Sequence, residues 1–117
     1  VALTLFFLAC GNVENRDALA AKKWRYVTIE SDGQTFGPEL VGGNTIEMYT
    51  DSTYVTVNNG EENKGGWYIK GDTLVSLDST YNMTQKLHIV KLSADTLILA
   101  GNDGTRDFKA TMVADTE

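Results

Sequence analysis

The side chains of this sequence able to do covalent or proton chemistry are few, and their spacing restricts them. His88 is the only histidine and Cys10 the only cysteine among 117 residues. A histidine acting as general base needs a nucleophile and an orienting carboxylate beside it. Alternation along Lys86–Leu92 puts His88 on a polar strand face, with Leu87 and Ile89 on the apolar one. A hydrolase would require a fold that carries His88 to both a carboxylate and a hydroxyl, and no catalytic activity is expected without one. The acidic residues are Glu61-Glu62 and turn aspartates at positions 32, 72, 95 and 103. Turn aspartates hydrogen-bond their own backbone. Neither Asp51-Ser52-Thr53 nor Asn102-Asp103-Gly104 has the spacing of a calcium loop. One cysteine builds neither a disulfide nor a thiolate zinc site. There is no Gly-x-Ser-x-Gly, phosphate loop or dinucleotide fingerprint, so neither a metal nor a cofactor is expected.

Cys10 has a context of its own. Before it stand Val1-Ala-Leu-Thr-Leu-Phe-Phe-Leu-Ala9, with no charge. That run is too short to span a bilayer, which takes about 20 apolar residues. It matches the apolar region of a signal peptide, roughly 7–15 residues. Ala9 before the thiol and Gly11-Asn12 after it resemble the lipobox of bacterial lipoproteins, with Phe7 where leucine is usual. No basic n-region precedes Val1, so residues 1–9 read as a signal remnant. The resemblance implies that Cys10 carries acyl chains. Each buried CH₂ then contributes about 0.8 kcal/mol, and two or three chains anchor stably. The expected location is the bacterial cell envelope, on the outer membrane or cell surface.

Charge supports no other route to a membrane. Ten Lys and Arg against sixteen Asp and Glu give a net charge of −6. With no basic stripe there is no footprint for nucleic acid, and anionic headgroups repel the chain.

These residues sit on a series of short strands. Residues 10–22 read as a lipidated tether with a helical turn capped by Asp17. Residues 23–117 form the domain. The strands expected are Lys23–Ser31, Thr45–Thr50, Thr53–Asn58, Gly66–Lys70, Thr73–Leu77, Lys86–Leu92, Thr96–Ala100 and Thr105–Val113. Asn59-Gly60 is the strongest hairpin signal among the turns. Two hairpins echo each other, each turning at Asp-Thr-Leu (72–74 and 95–97). No helix is expected beyond residue 23. Alternation puts Ile46 with Met48, Trp67 with Ile69, Leu87 with Ile89, Trp24 with Tyr26, and Phe108 with Ala110 and Met112 on apolar faces. Thr53–Asn58 and Leu74–Leu77 leave their faces undecided. The fold class is all-β: an antiparallel up-and-down meander of about eight strands closing into a barrel, which removes exposed edges.

Trp24 at the head of the first strand, Gly66-Trp67-Tyr-Ile-Lys-Gly-Asp-Thr-Leu and Leu92-Ser-Ala-Asp-Thr-Leu-Ile-Leu together resemble the small lipocalin-like lipoproteins of bacterial envelopes. The resemblance covers residues 23–113 and implies a lipocalin-like barrel. In lipocalins a Gly-x-Trp motif opens the barrel and a basic residue near the last strand packs over the Trp. Here Lys22 stands in place of the glycine. The resemblance offers Arg106 as the cation stacked on Trp24, a structural pair. Trp24, Tyr26, Met48, Trp67, Ile69, Leu87, Ile89, Phe108 and Met112 are the residues expected to fill the barrel or line a pocket. An eight-stranded barrel has room for its own side chains or one small ligand. Two functions follow: binding of a small apolar or amphipathic ligand, or an immunity- or inhibitor-like interaction with an envelope protein through outer aromatics such as Tyr49 and Tyr68.

Overall fold

Asp32-Gly33 and Asn59-Gly60 each put two consecutive residues at positive φ (56° and 81°; 53° and 84°). That is the backbone of the tight primed turn whose twist matches the flanking strands. Around such reversals the computed structural model, which describes residues 16–20, 22–79, 82–102 and 105–115, builds one antiparallel sheet. Its strands are β1 (Lys23–Ser31), β2 (Gln34–Phe36), β3 (Thr45–Met48), β4 (Thr53–Asn58), β5 (Glu61–Lys70), β6 (Thr73–Asp78), β7 (Met83–Leu92), β8 (Thr96–Asn102) and β9 (Asp107–Ala114). β1 pairs with β9 from Trp24↔Ala114 to Ser31↔Phe108, which closes the sheet into an eight-stranded barrel. β1 also pairs with β3 through Lys23–Arg25 and with β2 through Ile29–Ser31, so β2 is a ninth strand outside the closed circuit.

The closed meander is the one the alternation predicts, and the differences have local causes. β2 and a helix at Pro38–Val41 occupy a segment where the sequence predicts neither strand nor helix. Three residues and four are too few to show a period, although Pro38 at the first helical position was the available signal. β5 begins at Glu61 rather than Gly66, and its residues Glu61–Gly66 pair with the whole of β4. Its first half, Glu61-Glu-Asn-Lys-Gly, is polar on both faces and looks like a loop. β3 stops at Met48 because the chain turns at once, with Ser52 N–H donating to the Tyr49 carbonyl at 3.1 Å. β6, β7 and β8 run longer than expected, to Asp78, from Met83 and to Asn102, while β9 spans Asp107–Ala114. Residues 16–20 are helical, so Asp17 lies inside that helix (α1) rather than capping it. Cys10, Tyr81 and the Asp103-Gly104 turn lie outside the described residues.

Two bulges set the phase of the inner face. Register shifts between Tyr26 and Thr28 and between Ile89 and Lys91. Val27 and Val90 are the extra residues, and each reverses the alternation beyond it. Trp24, Tyr26 and Ile29 therefore share the inside, as do Leu87, Ile89 and Leu92. The undecided stretch Leu74–Leu77 resolves the same way. Leu74 and Ser76 point inward, Leu77 points outward, and Val75 is buried on the outside between its cross-strand neighbours Tyr68 and Lys86.

The core sits at one end of the barrel. Trp24, Leu19, Met48, Leu74, Leu97 and Met112 are the largest fully buried side chains. α1 lies across this end as a floor. The Trp24 indole N–H donates to the Leu19 carbonyl at 3.1 Å. Arg16 donates to the Thr50 carbonyl at 2.9 Å and the Ser52 hydroxyl at 2.7 Å, and its guanidinium lies 4.5 Å from the Trp67 ring centre. The turns at 32–33 and 59–60, the end of β6 at Asp78 and the start of β7 at Met83 gather at the opposite end, the mouth.

Candidate functional site

The inward row of β4 through β7 changes character from floor to mouth. On β4 it reads Tyr54, Thr56, Asn58; on β5, Ile69, Trp67, Gly65, Asn63; on β6, Leu74, Ser76, Asp78; on β7, Ile89, Leu87, Gln85. Each strand is apolar below and polar above. Facing this polar arc are Tyr26, Ile46 and Leu99. Together they enclose a cavity of about 210 Å³ with an apolar base of Met48, Trp67 and Leu74. The Trp67 indole N–H donates to the Tyr49 carbonyl at 3.0 Å, which fixes the ring that forms the base.

Two glycines shape the interior. A side chain at Gly65 would run into the Leu77 carbonyl oxygen and come within 2.7 Å of the Tyr54 hydroxyl. Its absence lets the Tyr54 ring lie against the β5 backbone, a close approach that only glycine permits. A Cβ at Gly101 would come within 2.6 Å of Leu87 and 3.1 Å of Phe108. Burial holds the Tyr54 phenol above its ordinary pKa, and the Asp78 carboxylate adds to the effect. Burial alone raises that of Tyr26.

Those two phenols contribute to the alkaline behaviour, as does Tyr49, whose pKa is raised by desolvation and the nearby Glu47. A phenol whose pKa is raised on folding favours the native state while the unfolded chain keeps its own proton. The contribution is complete below about pH 10, and it falls away as the pH rises through the folded value. Urea unfolding should therefore give a constant midpoint approaching pH 10 and a declining one above it. In Tyr26→Phe the decline should be shallower; an unchanged slope would remove Tyr26 as its source.

Of the nine residues expected to fill or line the interior, Tyr26, Met48, Trp67 and Leu87 line the cavity. Trp24, Ile89 and Met112 are buried in the core, and Ile69 packs against it half-buried. Phe108 borders a separate hollow of about 300 Å³ beside the β1–β2 hairpin. That hollow is walled by exposed residues such as Asp32, Gln34 and Asp107, so it is a surface recess. The polar arc of Thr56, Asn58, Asn63, Ser76, Asp78 and Gln85 is missing from the sequence reading. Its signal is the alternation continued above each apolar pair.

The expected stack of Arg106 on Trp24 is not formed. Trp24 pairs with Ala114, while Arg106 precedes the far end of β9, where Phe108 pairs with Ser31. At about 3.3 Å per residue, the eight positions from Arg106 to Ala114 put the two roughly 26 Å apart along the strand. The cation over Trp24 is Lys22, 5.8 Å from the ring centre: the residue in place of the motif glycine supplies the charge. His88 lies on the outer face, with Nδ1 3.4 Å from Asp72 Oδ2 and both side chains more than half exposed. The pair borders neither cavity, and an exposed contact of this kind contributes little to stability. Asp51 and Asp95 serve their turns. Asp51 accepts from the Thr53 N–H and hydroxyl, and Asp95 accepts from the Ser93 and Thr96 hydroxyls, which hold both carboxyls below the usual range. Tyr49 and Tyr68 are both exposed. Among the described residues no His, Cys, Asp and Glu group could hold a metal ion, and no helix is long and apolar enough to cross a membrane.

No protein-family model and no curated protein matches the chain. Its fold is similar to that of a lipocalin-like protein from Bacteroides uniformis, with a TM-score of 0.67 and 15% identity over 84% of this chain and 99% of that one. A bovine lipocalin, the allergen Bos d 2, aligns with a TM-score of 0.47 and 17% identity over 88% of this chain and 75% of that one. The first likeness extends over nearly the whole of its counterpart and concerns the fold alone.

Proposed function

We propose that this lipocalin-like barrel is a binding module that takes a small amphipathic ligand through its mouth, apolar end first. It would be tethered to the bacterial cell envelope, on the outer membrane or cell surface, by acyl chains on Cys10. The observation that carries the reading is the graded cavity, with Trp67, Leu74 and Met48 at its base and a polar arc above. Ligand sites are mostly apolar with a few placed polar groups, and they favour the mouths of barrels. A volume of about 210 Å³ equals about seven waters of liquid, which suits a ligand on the order of ten non-hydrogen atoms. The tether reading rests on the residues around Cys10.

The test is a calorimetric titration with 2-phenylethanol, a neutral probe of that size. The unaltered barrel should bind it. Ser76→Phe points a ring from the inner face of β6 into the cavity. It should abolish binding while leaving the melting temperature unchanged or raised. Equal binding by both proteins would place the probe elsewhere and refute the site.

Tyr68 and Leu77 favour a second reading. They stand 46% and 43% exposed on the outer faces of neighbouring strands β5 and β6. An envelope protein seated there should cross-link to a photoreactive residue at position 68 in intact cells, and the absence of any adduct would remove that reading.

A further inference from the structure

We infer that the ligand of the barrel mouth carries a protonated amine. This rests on the reading of the cavity as a binding site and specifies the chemistry it selects. Among the described residues lining the cavity, Asp78 is the one charged side chain, and none is a lysine, arginine or histidine. Its neighbours across the sheet, Gly65 on β5 and Met83 on β7, carry no charge. Lys64 and Lys86 belong to the outward rows of the same strands, opposite Val55 and Val75. Asp78 is held by an interaction of its own and is not a loose surface group.

An ammonium group has three donors and no acceptor. The arc offers several acceptors: the Asp78 carboxylate, the Asn63 and Gln85 side-chain carbonyls and the Ser76 hydroxyl. Neutral polar groups such as amides and hydroxyls serve a donor or an acceptor equally, so the formal charge decides the sign. A cation entering beside Asp78 replaces its water shell with a charge-assisted bond. A carboxylate entering the same place would lose its own hydration next to a like charge, with no cation to compensate. The approach is biased the same way. Glu61 and Glu62 are exposed at the β4–β5 turn on the mouth, and the chain as a whole carries −6. Such a field raises the local concentration of cations. The expected ligand is a small amine on a compact apolar body, with the body on Trp67 and Leu74 and the nitrogen at Asp78.

The experiment compares three probes of similar shape: 2-phenylethylammonium, 2-phenylethanol and 3-phenylpropanoate. Each is titrated into the whole chain near neutral pH. The ammonium should bind at least about tenfold more tightly than the alcohol, the scale of one charged hydrogen bond, and the carboxylate should bind weakest. Asp78→Asn should erase the preference for the ammonium over the alcohol. If that variant does not fold, Gln85→Glu adds a second carboxylate to the arc and should tighten the ammonium several-fold; no tightening would refute the inference. Alcohol and ammonium binding equally, or the carboxylate binding best, would overturn the amine and leave the cavity reading standing. If none of the three binds, the cavity reading itself fails.

Discussion

Trp24→Ala is expected to lower the unfolding free energy by about 3–5 kcal/mol, the cost of removing a large aromatic from a core. For a small domain, whose total is about 5–15 kcal/mol, that is a large fraction. The position justifies the upper part of the range. Trp24 has no exposed surface and sits among Leu97, Met112 and Met48, and its indole N–H satisfies the Leu19 carbonyl. Truncation therefore opens a cavity beneath β1, frees that carbonyl and releases the hold of α1 on the floor. β1 is also the strand that closes the barrel against β9 and β3. Loosening it weakens both seams together. Urea denaturation followed by far-ultraviolet circular dichroism measures the effect. A cost below about 1 kcal/mol would mean that the floor does not depend on the ring.

Cys10→Ala is expected to move the protein from the membrane fraction to the soluble fraction almost completely. The proposed acylation would supply about 0.8 kcal/mol for each buried CH₂, and charge would add nothing to it. The net charge of −6 is repelled by anionic headgroups, and among the described residues no helix is long and apolar enough to span a bilayer. Retention of the variant in washed membranes would end the proposal that Cys10 is the anchor.

The legible parts of the fold are those whose signal is local. Asn59-Gly60 and Asp32-Gly33 announce their turns because few residue pairs accept two positive φ values in succession. The apolar lower halves of the strands, Trp67 with Ile69 and Leu87 with Ile89, show their inward face directly. The upper halves do not. Asn63, Ser76, Asp78 and Gln85 point into the barrel, and a rule that sends polar residues to solvent reads them backwards. The mouth, which is the candidate site, was therefore the least legible part of the molecule. The bulges at Val27 and Val90 shift the alternation by one, and an extra residue leaves no mark on composition. Arg106 was misplaced for a different reason. Which cation covers Trp24 depends on strand register and on where α1 folds back, and both are long-range properties. Gly65 shows the reverse case. Beside Gly66 it has the composition of a turn, yet its missing side chain is what lets Tyr54 pack flat inside the cavity.

The central claim is that the barrel mouth holds a ligand. The most direct measurement is a two-dimensional amide and indole nuclear magnetic resonance titration with 2-phenylethanol. Saturable shifts should centre on Tyr54, Asn63, Ser76, Gln85 and the Trp67 indole, with Tyr68, Leu77 and α1 undisturbed. No saturable shift, or shifts confined to the outer face around Tyr68 and Leu77, would contradict the account.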